Sequence, residues 1–174
     1  MAITIRRLSA AEIQTCKQGL VDLLCDAVNH GASVNFIAPL DVGIASGFWD
    51  KVIGDVNAGD RIVFAAFDGD QVVGTTHLAL AWQPNGQHRA EIQKVLVLST
   101  ARRQGIGSLL MQAAEDEALA LGRFVIVLDT EVGGSGEKFY AQIGYQRVGV
   151  IPQFALNYDG SELIGTILFY KLLK

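Results

Sequence analysis

Cysteine is scarce in this sequence, in which Cys16 and Cys25 are the only two among 174 residues. They stand nine positions apart in a stretch with helical periodicity, and the rise of a helix separates them too far for a disulfide. Two free thiols are typical of a protein in a reducing compartment, where they pack as small apolar groups. The cysteine content therefore argues against a disulfide-stapled fold.

Long hydrophobic runs are also missing, although 50% of the residues are hydrophobic. No run reaches the roughly 18 apolar residues that a membrane span needs. Arg6 and Arg7 interrupt the N-terminal stretch before the apolar core of a secretory signal could form. We therefore expect a cytoplasmic protein without a membrane partner. The length predicts a single domain, residues 1–174, with a substantial core.

A basic excess and a metal-ligand pattern are absent as well. The formal net charge is −4, so the chain lacks the positive footprint of a general nucleic-acid binder, and we expect no nucleic-acid partner. His30, His77 and His88 are scattered without the i, i+4 spacing of ligands on one helix face. We therefore expect no metal site.

What the sequence does contain, between residues 95 and 110, is the pattern of a strand, a tight polar turn and the start of a helix. Gly105 and Gly107 stand where this helix begins, and Arg102 and Arg103 come just before them. The first turn of a helix has unpaired N–H groups and a partial positive charge, which attract anions. Glycine lacks the Cβ that would keep a phosphate oxygen away from these groups. The pattern predicts a phosphate-bearing cofactor.

Two common phosphate-binding motifs are excluded at this turn. The P-loop pattern requires a Gly-Lys-Ser/Thr sequence that does not follow here, and the dinucleotide fingerprint requires a third glycine where Leu110 stands. The remaining pattern, Arg-x-x-Gly-x-Gly over residues 102–107, is also compatible with an ordinary strand-to-helix turn that exposes two arginines. The rest of the chain has to decide between the two interpretations.

The order of predicted elements describes one mixed sheet. A capping box, Ser9-Ala-Ala-Glu12, begins a helix that reaches Val28, and Asp41 and Gly59 bound a second helix. Strand–helix–strand order around the glycine turn predicts a parallel crossover in an otherwise antiparallel arrangement. The predicted strands are 3–5, 61–67, 71–80, 88–98, 124–128, 145–150 and 164–172, with further helices over 106–121 and 138–143 and a loop over 152–160.

Two motifs at a characteristic separation make the chain resemble the GNAT superfamily of acetyl-CoA-dependent N-acyltransferases. Residues 102–107 match the cofactor motif Gln/Arg-x-x-Gly-x-Gly/Ala, and residues 139–145 match Phe-Tyr-x-x-x-Gly-Tyr/Phe. The element order fits over nearly the whole length. The resemblance implies an α+β (mixed α/β) fold, with a twisted, mostly antiparallel sheet, one parallel βα crossover and about four flanking helices.

Shorter segments resemble one branch of that superfamily, the tabtoxin-resistance acetyltransferases, which acetylate a small β-lactam amino-acid toxin. These segments are Gly31-Ala-Ser-Val34, Pro84-Asn-Gly86, Arg89-Ala-Glu91, Gln93-Lys94 and Leu128-Asp-Thr-Glu131. The chain departs from the family at Ser99, where proline is common, and at Arg103, where glycine is common. It also has Gly133 where many members have an asparagine that faces the cofactor. Substrate identity does not follow from such similarity, because function resides in the site.

The resemblance implies acetyl-CoA as the cofactor and divides its binding between two segments. Backbone N–H groups from Arg103 through Ser108 would hold the pyrophosphate of coenzyme A. The strand before the turn would bulge away from its neighbour, so that its backbone pairs with the pantetheine arm. The expected cofactor-binding residues are Val95, Leu96, Val97, Arg102, Arg103, Gln104, Gly105, Ile106, Gly107, Ser108 and Tyr140.

The resemblance also implies direct attack of an amine on the acetyl thioester, without an acyl-enzyme. Tyr140 is the predicted proton donor to the leaving thiolate, since the unperturbed pKa of tyrosine is near 10; a buried packing role is the alternative. Glu91 is the first candidate for the general base. It lies about 13 Å upstream of the thioester site on an extended strand, so we expect it to work through water unless a bulge brings it closer. For Glu91 the alternative to a catalytic role is an ion pair with Arg89 or Lys94, or the orientation of a cationic acceptor. Asp129 is the second candidate for the base.

These features predict an acetyltransferase that acts on a primary amine of a small molecule. Carboxylates near the site favour a cationic, amino-acid-like acceptor, such as an antibiotic or toxin. The alternatives are a protein N-terminus or lysine as the acceptor, and a non-catalytic CoA-binding regulatory module. A closed pocket covered by residues 31–40 and 152–162 would favour the small molecule. Exposed strand edges would permit a homodimer.

Overall fold

The seven strands found among residues 3–174 belong to one sheet, in the order β1-β2-β3-β4-β5-β7-β6. The computed structural model describes residues 3–174. Every neighbouring pair is antiparallel except β4 and β5. This arrangement confirms the predicted mixed fold with its parallel crossover. The strands are β1 (Ile3–Leu8), β2 (Arg61–Asp68), β3 (Gln71–Leu80), β4 (Arg89–Val97), β5 (Val125–Glu131), β6 (Gln146–Leu156) and β7 (Leu163–Leu172).

In the described part of the chain five α-helices flank the sheet, one more than predicted, because the first expected helix is divided at Cys16. The predicted capping box is present: the Ser9 hydroxyl accepts from the Glu12 N–H, and the Glu12 carboxylate accepts from the Ser9 N–H at 2.9 Å. Thr15 then donates its hydroxyl to the carbonyl of Ala11, a contact that often bends helices. The helices are α1 (Ala10–Thr15), α2 (Lys17–Asn29), α3 (Val42–Ala58), α4 (Ile106–Ala120) and α5 (Ser135–Gln142). None of them in the described chain is long and apolar enough to cross a membrane.

Helices cover both faces of the sheet, and β2 shows why. Its alternate residues Ile62, Phe64 and Ala66 pack into the core under α4, whereas Val63, Ala65 and Phe67 pack into the core under α1, α2 and α3. A strand that is buried on both faces has a nearly continuous apolar sequence. The two hydrophobic cores therefore fix the positions of α2 and α4 on opposite sides of the same central strands.

The central strands β4 and β5 separate after the first three residues of each. Their parallel pairing ends at Glu91, which lies opposite Val127. Beyond this point β4 remains paired with β3, but its register shifts where Thr75 faces Leu96 and His77 faces Gln93. One more residue lies on β4 than on β3 between these two pairs, as in a β-bulge, and Lys94 in this stretch has a positive φ of 52°. The bulge and the splay that the family resemblance implies are therefore both present.

Two predicted boundaries are wrong near the C-terminal end. The expected loop over 152–160 belongs in part to a strand, because β6 continues to Leu156 through an irregular register between Ile151 and Ala155. Pro152 is tolerated there since β6 is an edge strand, where a missing N–H breaks no ladder. Helix α5 begins at Ser135, ahead of the expected start at 138.

Close packing of α4 on the sheet depends on the absence of a side chain at Gly74 in β3. A Cβ at this position would lie 3.0 Å from Leu110 Cδ1 and 3.0 Å from the backbone oxygen of Leu96. The helix and the bulged strand therefore approach β3 at the same point. This contact connects the position of the α4 N-terminus to that of β4.

We predict that Gly74→Ala lowers the free energy of unfolding by about 1–3 kcal/mol, the usual cost of overpacking. The matched control is Gly47→Ala in α3, where a Cβ meets nothing within 4 Å. There the same substitution should raise the free energy of unfolding by about 0.5–1 kcal/mol, because alanine favours helix. Urea denaturation of both variants measures the difference, and equal stabilities would contradict this account of the packing.

Candidate active site

A groove of about 620 Å³ opens where β4 and β5 separate. It runs between the end of β4, the N-terminus of α4 and helix α5, and the end of α2 borders it. Its lining includes every predicted cofactor-binding residue except Gln104. These residues are Val95, Leu96, Val97, Arg102, Arg103, Gly105, Ile106, Gly107, Ser108 and Tyr140.

The backbone of residues 95–97 has no strand partner on the β5 side of the groove. Leu96 and Val97 pair with β3 through Thr75 and Gly74. The β5 ladder has ended at Glu91. An extended molecule can therefore lie beside β4 as an additional strand. One acceptor is already used, because Arg102 Nε donates to the Val97 carbonyl at 3.2 Å.

The N-terminus of α4 has no side-chain cap from residues 3–174. Its N-cap residue is Gly105, at a φ of 80°. Arg103 in the preceding turn also has a positive φ of 61°. A helix start of this kind satisfies its orphan N–H groups with water or with an anion.

Glycine is needed for different structural reasons at the two positions of this turn. Gly105 adopts the left-handed conformation, which glycine reaches without strain. A Cβ on Gly107 would lie 3.3 Å from Phe139 Cζ. The prediction that both glycines chiefly make room for a phosphate is therefore incomplete, since Gly107 also makes room for the Phe139 ring of α5.

A second cavity of about 230 Å³ continues from the groove on the far side of Tyr140. Tyr140 lines both spaces, together with Val95, residues 31–32 and residues 135–136 at the start of α5. Glu91, Asp129 and Glu131 line the second cavity with three carboxylates, and Lys94 lines it with one cation. The structure therefore brings the three predicted catalytic residues, Tyr140, Glu91 and Asp129, to one cavity.

A chain of hydrogen bonds holds Glu91. Its Oε1 accepts from Gln93 Nε2 at 2.8 Å, and Gln93 Oε1 accepts from Arg61 Nη1 at 2.8 Å. Arg61 also pairs with Asp55, with 3.1 Å between Nε and Oδ2. Because a guanidinium only donates, Arg61 fixes which end of the Gln93 amide faces the carboxylate. Glu91 therefore has an orienting partner that is neither Arg89 nor Lys94, the two partners considered from the sequence.

His77 contacts this network from the hydrophobic core. It is fully buried, and its Nδ1 lies 3.3 Å from Arg61 Nη1. Burial, followed by the positive charges of Arg61 and Lys94, lowers the pKa of His77 well below its usual 6.5. The ring is therefore neutral, and it accepts from Arg61 and stacks on Phe48 with 6.0 Å between ring centroids.

Asp129 is held from the opposite side of the splay. The hydroxyl of Thr166 in β7 lies 2.7 Å from Asp129 Oδ2 and 3.0 Å from the carbonyl of Thr130. Asp129 itself is more exposed than its neighbours in β5, as expected where the strand lines a cavity. Glu91 and Asp129 therefore face the same space from the two strands that separate.

Tyr140 is almost fully buried, at 9% exposure. Burial is the main cause that raises its pKa above the ordinary value of 10, and the negative charge of Asp129 adds to it. Its ring lies among Phe139, Tyr145 and Phe169, with centroid distances of 5.2, 5.9 and 6.2 Å. The hydroxyl therefore stays protonated at all ordinary pH values, on a ring that is held by aromatic packing.

The loop that covers the second cavity comes from one of the two predicted segments only. Residues 31–35 line the cavity, whereas residues 152–162 do not. The latter segment forms a hairpin that braces the loop: the Ala38 N–H donates to the Tyr158 carbonyl at 2.7 Å, and Gly160 packs on Ile37. Of the two segments whose cover would favour a small-molecule acceptor, only the first therefore lines the cavity, and the second supports it from behind through Ile37 and Ala38.

Several lining or network residues were missed from the sequence. Gln93, Arg61 and His77 have no predicted role at the site, and Lys94 is predicted only as an alternative ion-pair partner of Glu91. Their sequence signals are those of ordinary strand residues. His30 at the end of α2 also lines the groove. Only the pairing of β2, β3 and β4 brings Arg61, His77 and Gln93 together.

The splayed strands, the uncapped helix start and the groove between them define a class of proteins that bind an acylated coenzyme. Comparison with known families identifies the class: the model of the Acetyltransferase (GNAT) family matches residues 25–145. The chain belongs to this family and is a GNAT-type N-acetyltransferase that uses acetyl-CoA.

Solved structures share the fold over the whole length at low sequence identity. An N-acetyltransferase from Staphylococcus aureus Mu50 is 17% identical, with complete coverage of both chains and a TM-score of 0.79. A candidate acetyltransferase from Salmonella typhimurium, solved with its cofactor acetyl-CoA, is 16% identical over 100% of this chain and 95% of that one, with a TM-score of 0.77. An aminoglycoside 6'-acetyltransferase type Ii is 22% identical over 97% of this chain and 96% of that one, with a TM-score of 0.73.

The groove fits the cofactor of the family on its own chemistry. Its lining contains Arg102, Arg103 and His30, and no carboxylate from the described residues. A site without acidic side chains, next to an uncapped helix N-terminus, suits the phosphates of coenzyme A. The unpaired backbone of residues 95–97 suits the amides of its pantetheine arm, and bound acetyl-CoA supplies an activated acetyl thioester.

We predict that Gln93→Leu lowers kcat about tenfold, since losing a hydrogen bond to a charged group costs on the order of 1.5 kcal/mol. The substitution removes the donor to Glu91 and the acceptor for Arg61. Affinity for acetyl-CoA, measured by calorimetry, should stay the same. Gln18→Leu, which removes an exposed hydrogen bond to Asp22, is the control. An unchanged kcat in Gln93→Leu would show that the network does not orient Glu91.

Proposed function

We propose that this enzyme transfers the acetyl group of acetyl-CoA to a primary amine of a small, amino-acid-like molecule. The acceptor would occupy the 230 Å³ cavity that adjoins the groove at Tyr140. The observation that carries this proposal is the joining of the two spaces at one tyrosine, with Glu91 and Asp129 lining the smaller one. A cavity of this volume suits a molecule of amino-acid size.

Two carboxylates can remove the proton that a cationic amine carries. Glu91 and Asp129 line the cavity from the two separating strands, and each has one oxygen in a hydrogen bond that leaves the other free. In the proposed mechanism Glu91 accepts the proton through a water molecule, and Asp129 attracts the ammonium group or shares the base role. Negative charges around the cavity also favour a cationic acceptor.

Tyr140 is the proposed proton donor to the departing thiolate. Because burial raises its pKa, the hydroxyl keeps its proton at the pH values at which the amine is neutral. A backbone N–H of Leu96 or Val97, on the strand freed by the splay, would donate to the reacting carbonyl oxygen. The residues thus divide into a base in the small cavity, an acid at the junction and a backbone donor in the groove.

A panel of amines tests the proposal by release of free thiol from acetyl-CoA. Amino acids, β-lactam amino acids, aminoglycosides and polyamines probe the small-molecule function, and peptides with free N-termini or lysines probe a protein acceptor. Acetylation of small amines with no turnover of peptides is expected. Turnover of peptides alone would indicate a protein acetyltransferase, and binding of acetyl-CoA without any turnover would indicate a regulatory module.

We predict that Tyr140→Phe lowers kcat about 100-fold, because general acid catalysis contributes on the order of 100-fold or more to such reactions. The dissociation constant for acetyl-CoA should change less than about threefold, about 0.7 kcal/mol. Tyr170→Phe is the matched control, since its hydroxyl bonds only to Gln146 on the protein surface. Full activity in Tyr140→Phe would leave Tyr140 with a packing role only.

The raised pKa of Tyr140 gives a second, independent measurement. A group whose pKa is raised stays protonated to higher pH, so Tyr140 should not ionise as the pH rises from 9 to 11, about one unit on either side of the ordinary tyrosine value. Spectrophotometric titration of tyrosinate absorbance in this range should give the same increase for the wild type and for Tyr140→Phe. A smaller increase in the variant would show that Tyr140 titrates normally.

We also propose that the protein acts in the cytoplasm in resistance to an amino-acid-like toxin, as in the tabtoxin-resistance branch. We propose in addition that it forms a homodimer. Strand β6, at one edge of the sheet, supports the dimer because it exposes Val148, Val150 and Phe154 at 63%, 43% and 51%. Exposed apolar side chains on an edge strand favour pairing with another chain. Light scattering measures the oligomeric state. The residues described here would form one catalytic domain.

A further inference from the structure

Lys94 is the only cationic side chain among the described residues that line the acceptor cavity. It stands in the β4 bulge at a φ of 52°, a conformation that is costly for a residue other than glycine. The bulge aims one strand residue out of the regular alternation, which is a common way to direct a side chain towards a site. The position of Lys94 is therefore set by the same irregularity that opens the groove.

The ammonium group of Lys94 has aromatic neighbours but no anionic partner. Its Nζ lies 5.9 Å from the ring centroid of Phe36 and 5.7 Å from that of Phe48. Lys94 takes part in none of the ion pairs within 4.0 Å among residues 3–174, nor in their side-chain hydrogen bonds. The two rings hold the cation loosely through their π faces. Its hydrogen-bonding capacity is left for another group.

The surroundings of Lys94 make a counter-ion favourable. Burial, followed by the charge of Arg61, lowers the pKa of Lys94, whereas Asp129 and Glu91 act in the opposite direction. Each carboxylate has one oxygen in a hydrogen bond, Glu91 with Gln93 and Asp129 with Thr166, and neither forms an ion pair within 4.0 Å with Lys94. A ligand anion beside Lys94 would supply the short contact that neither protein carboxylate makes.

We propose that the acceptor is a zwitterion whose own carboxylate binds Lys94 while its amine faces Glu91 and Asp129. This inference rests on the proposed function and narrows its substrate class to small molecules that carry both an amine and a carboxylate. The cavity then presents one cation and a cluster of anions to a ligand with the opposite pattern. Lys94 acts as a specificity residue, because it touches the acceptor without taking part in proton transfer.

The competing explanation is that Lys94 only balances the charge of Glu91 and Asp129. The two explanations differ in what they predict for ligands without a carboxylate. A charge-balancing lysine would affect every acceptor equally, since it acts on the base. A carboxylate-binding lysine would affect only acceptors that have the anion.

The experiment compares matched acceptors in two series: L-lysine, L-lysinamide and cadaverine, and L-alanine, L-alaninamide and ethylamine. For each we measure kcat/KM in the wild type, Lys94→Met and Lys94→Arg. The wild type should prefer the carboxylate-bearing member over its amide in the series it accepts. In Lys94→Met this preference should fall about 10- to 100-fold, the range for a charge-assisted hydrogen bond. Lys94→Arg should retain part of it.

Two controls separate a specific effect from a general one. Lys174→Met removes a charge from an exposed position at the end of the chain and should leave the preference unchanged. The wild type, Lys94→Met and Lys94→Arg all carry a non-glycine residue at this strained backbone position. Thermal unfolding should therefore show similar stabilities for the three proteins. Calorimetry of L-lysine and L-lysinamide binding to the free enzyme provides a readout that does not depend on turnover.

The outcomes distinguish the proposal from the function on which it rests. A preference for amides or simple amines in the wild type, or an equal loss for all acceptors in Lys94→Met, would overturn the role of Lys94 and leave amine acetylation standing. Turnover of peptides with no turnover or binding of either small series would overturn both. A preference that collapses in Lys94→Met but not in Lys174→Met supports the proposal.

Discussion

The separation of β4 from β5 is the constraint on which the site depends. Up to Glu91 the two strands form a parallel ladder opposite Val127, and beyond it the bulge at Lys94 turns β4 away. This single irregularity frees the backbone of residues 95–97, opens the groove for the coenzyme and lets Glu91 and Asp129 face one cavity. The same chain in a regular sheet would have its backbone groups paired and its carboxylates on different strands with no space between them.

Keeping the strands apart requires support from both hydrophobic cores. Gly74 lets α4 approach β3 beside the bulge, and Ser99 ties the end of β4 to α2 through two 2.7 Å hydrogen bonds to Asp26. On the other side, Thr166 holds Asp129 on β5. The site is therefore positioned by packed elements, whereas the loop over residues 31–35 lines the cavity and continues into Ile37 and Ala38, which contact Gly160 and Tyr158.

Charge is distributed unevenly between the two spaces, and this distribution links structure to function. Cations border the coenzyme groove at Arg102 and Arg103, while carboxylates dominate the acceptor cavity. Tyr140 stands between them with a raised pKa and a protonated hydroxyl. This distribution supports the proposal that the anionic coenzyme and a cationic amine bind on opposite sides of Tyr140. Lys94, the one cation among the described residues that line the smaller cavity, is the basis for proposing a second charge on the acceptor.

Local patterns in the sequence determined the capping box at Ser9, the helix start at Gly105 and the family motifs, because each depends on residues close together in the chain. The sequence also placed Glu91, Asp129 and Tyr140 near one site through its resemblance to the family. Only the tertiary structure decided that Arg61 and Gln93 hold Glu91, that β6 runs past Pro152 and that Lys94 lines the cavity. These features depend on strand register and on one bulge, and a shift of one residue in either turns a side chain to the opposite face of the sheet.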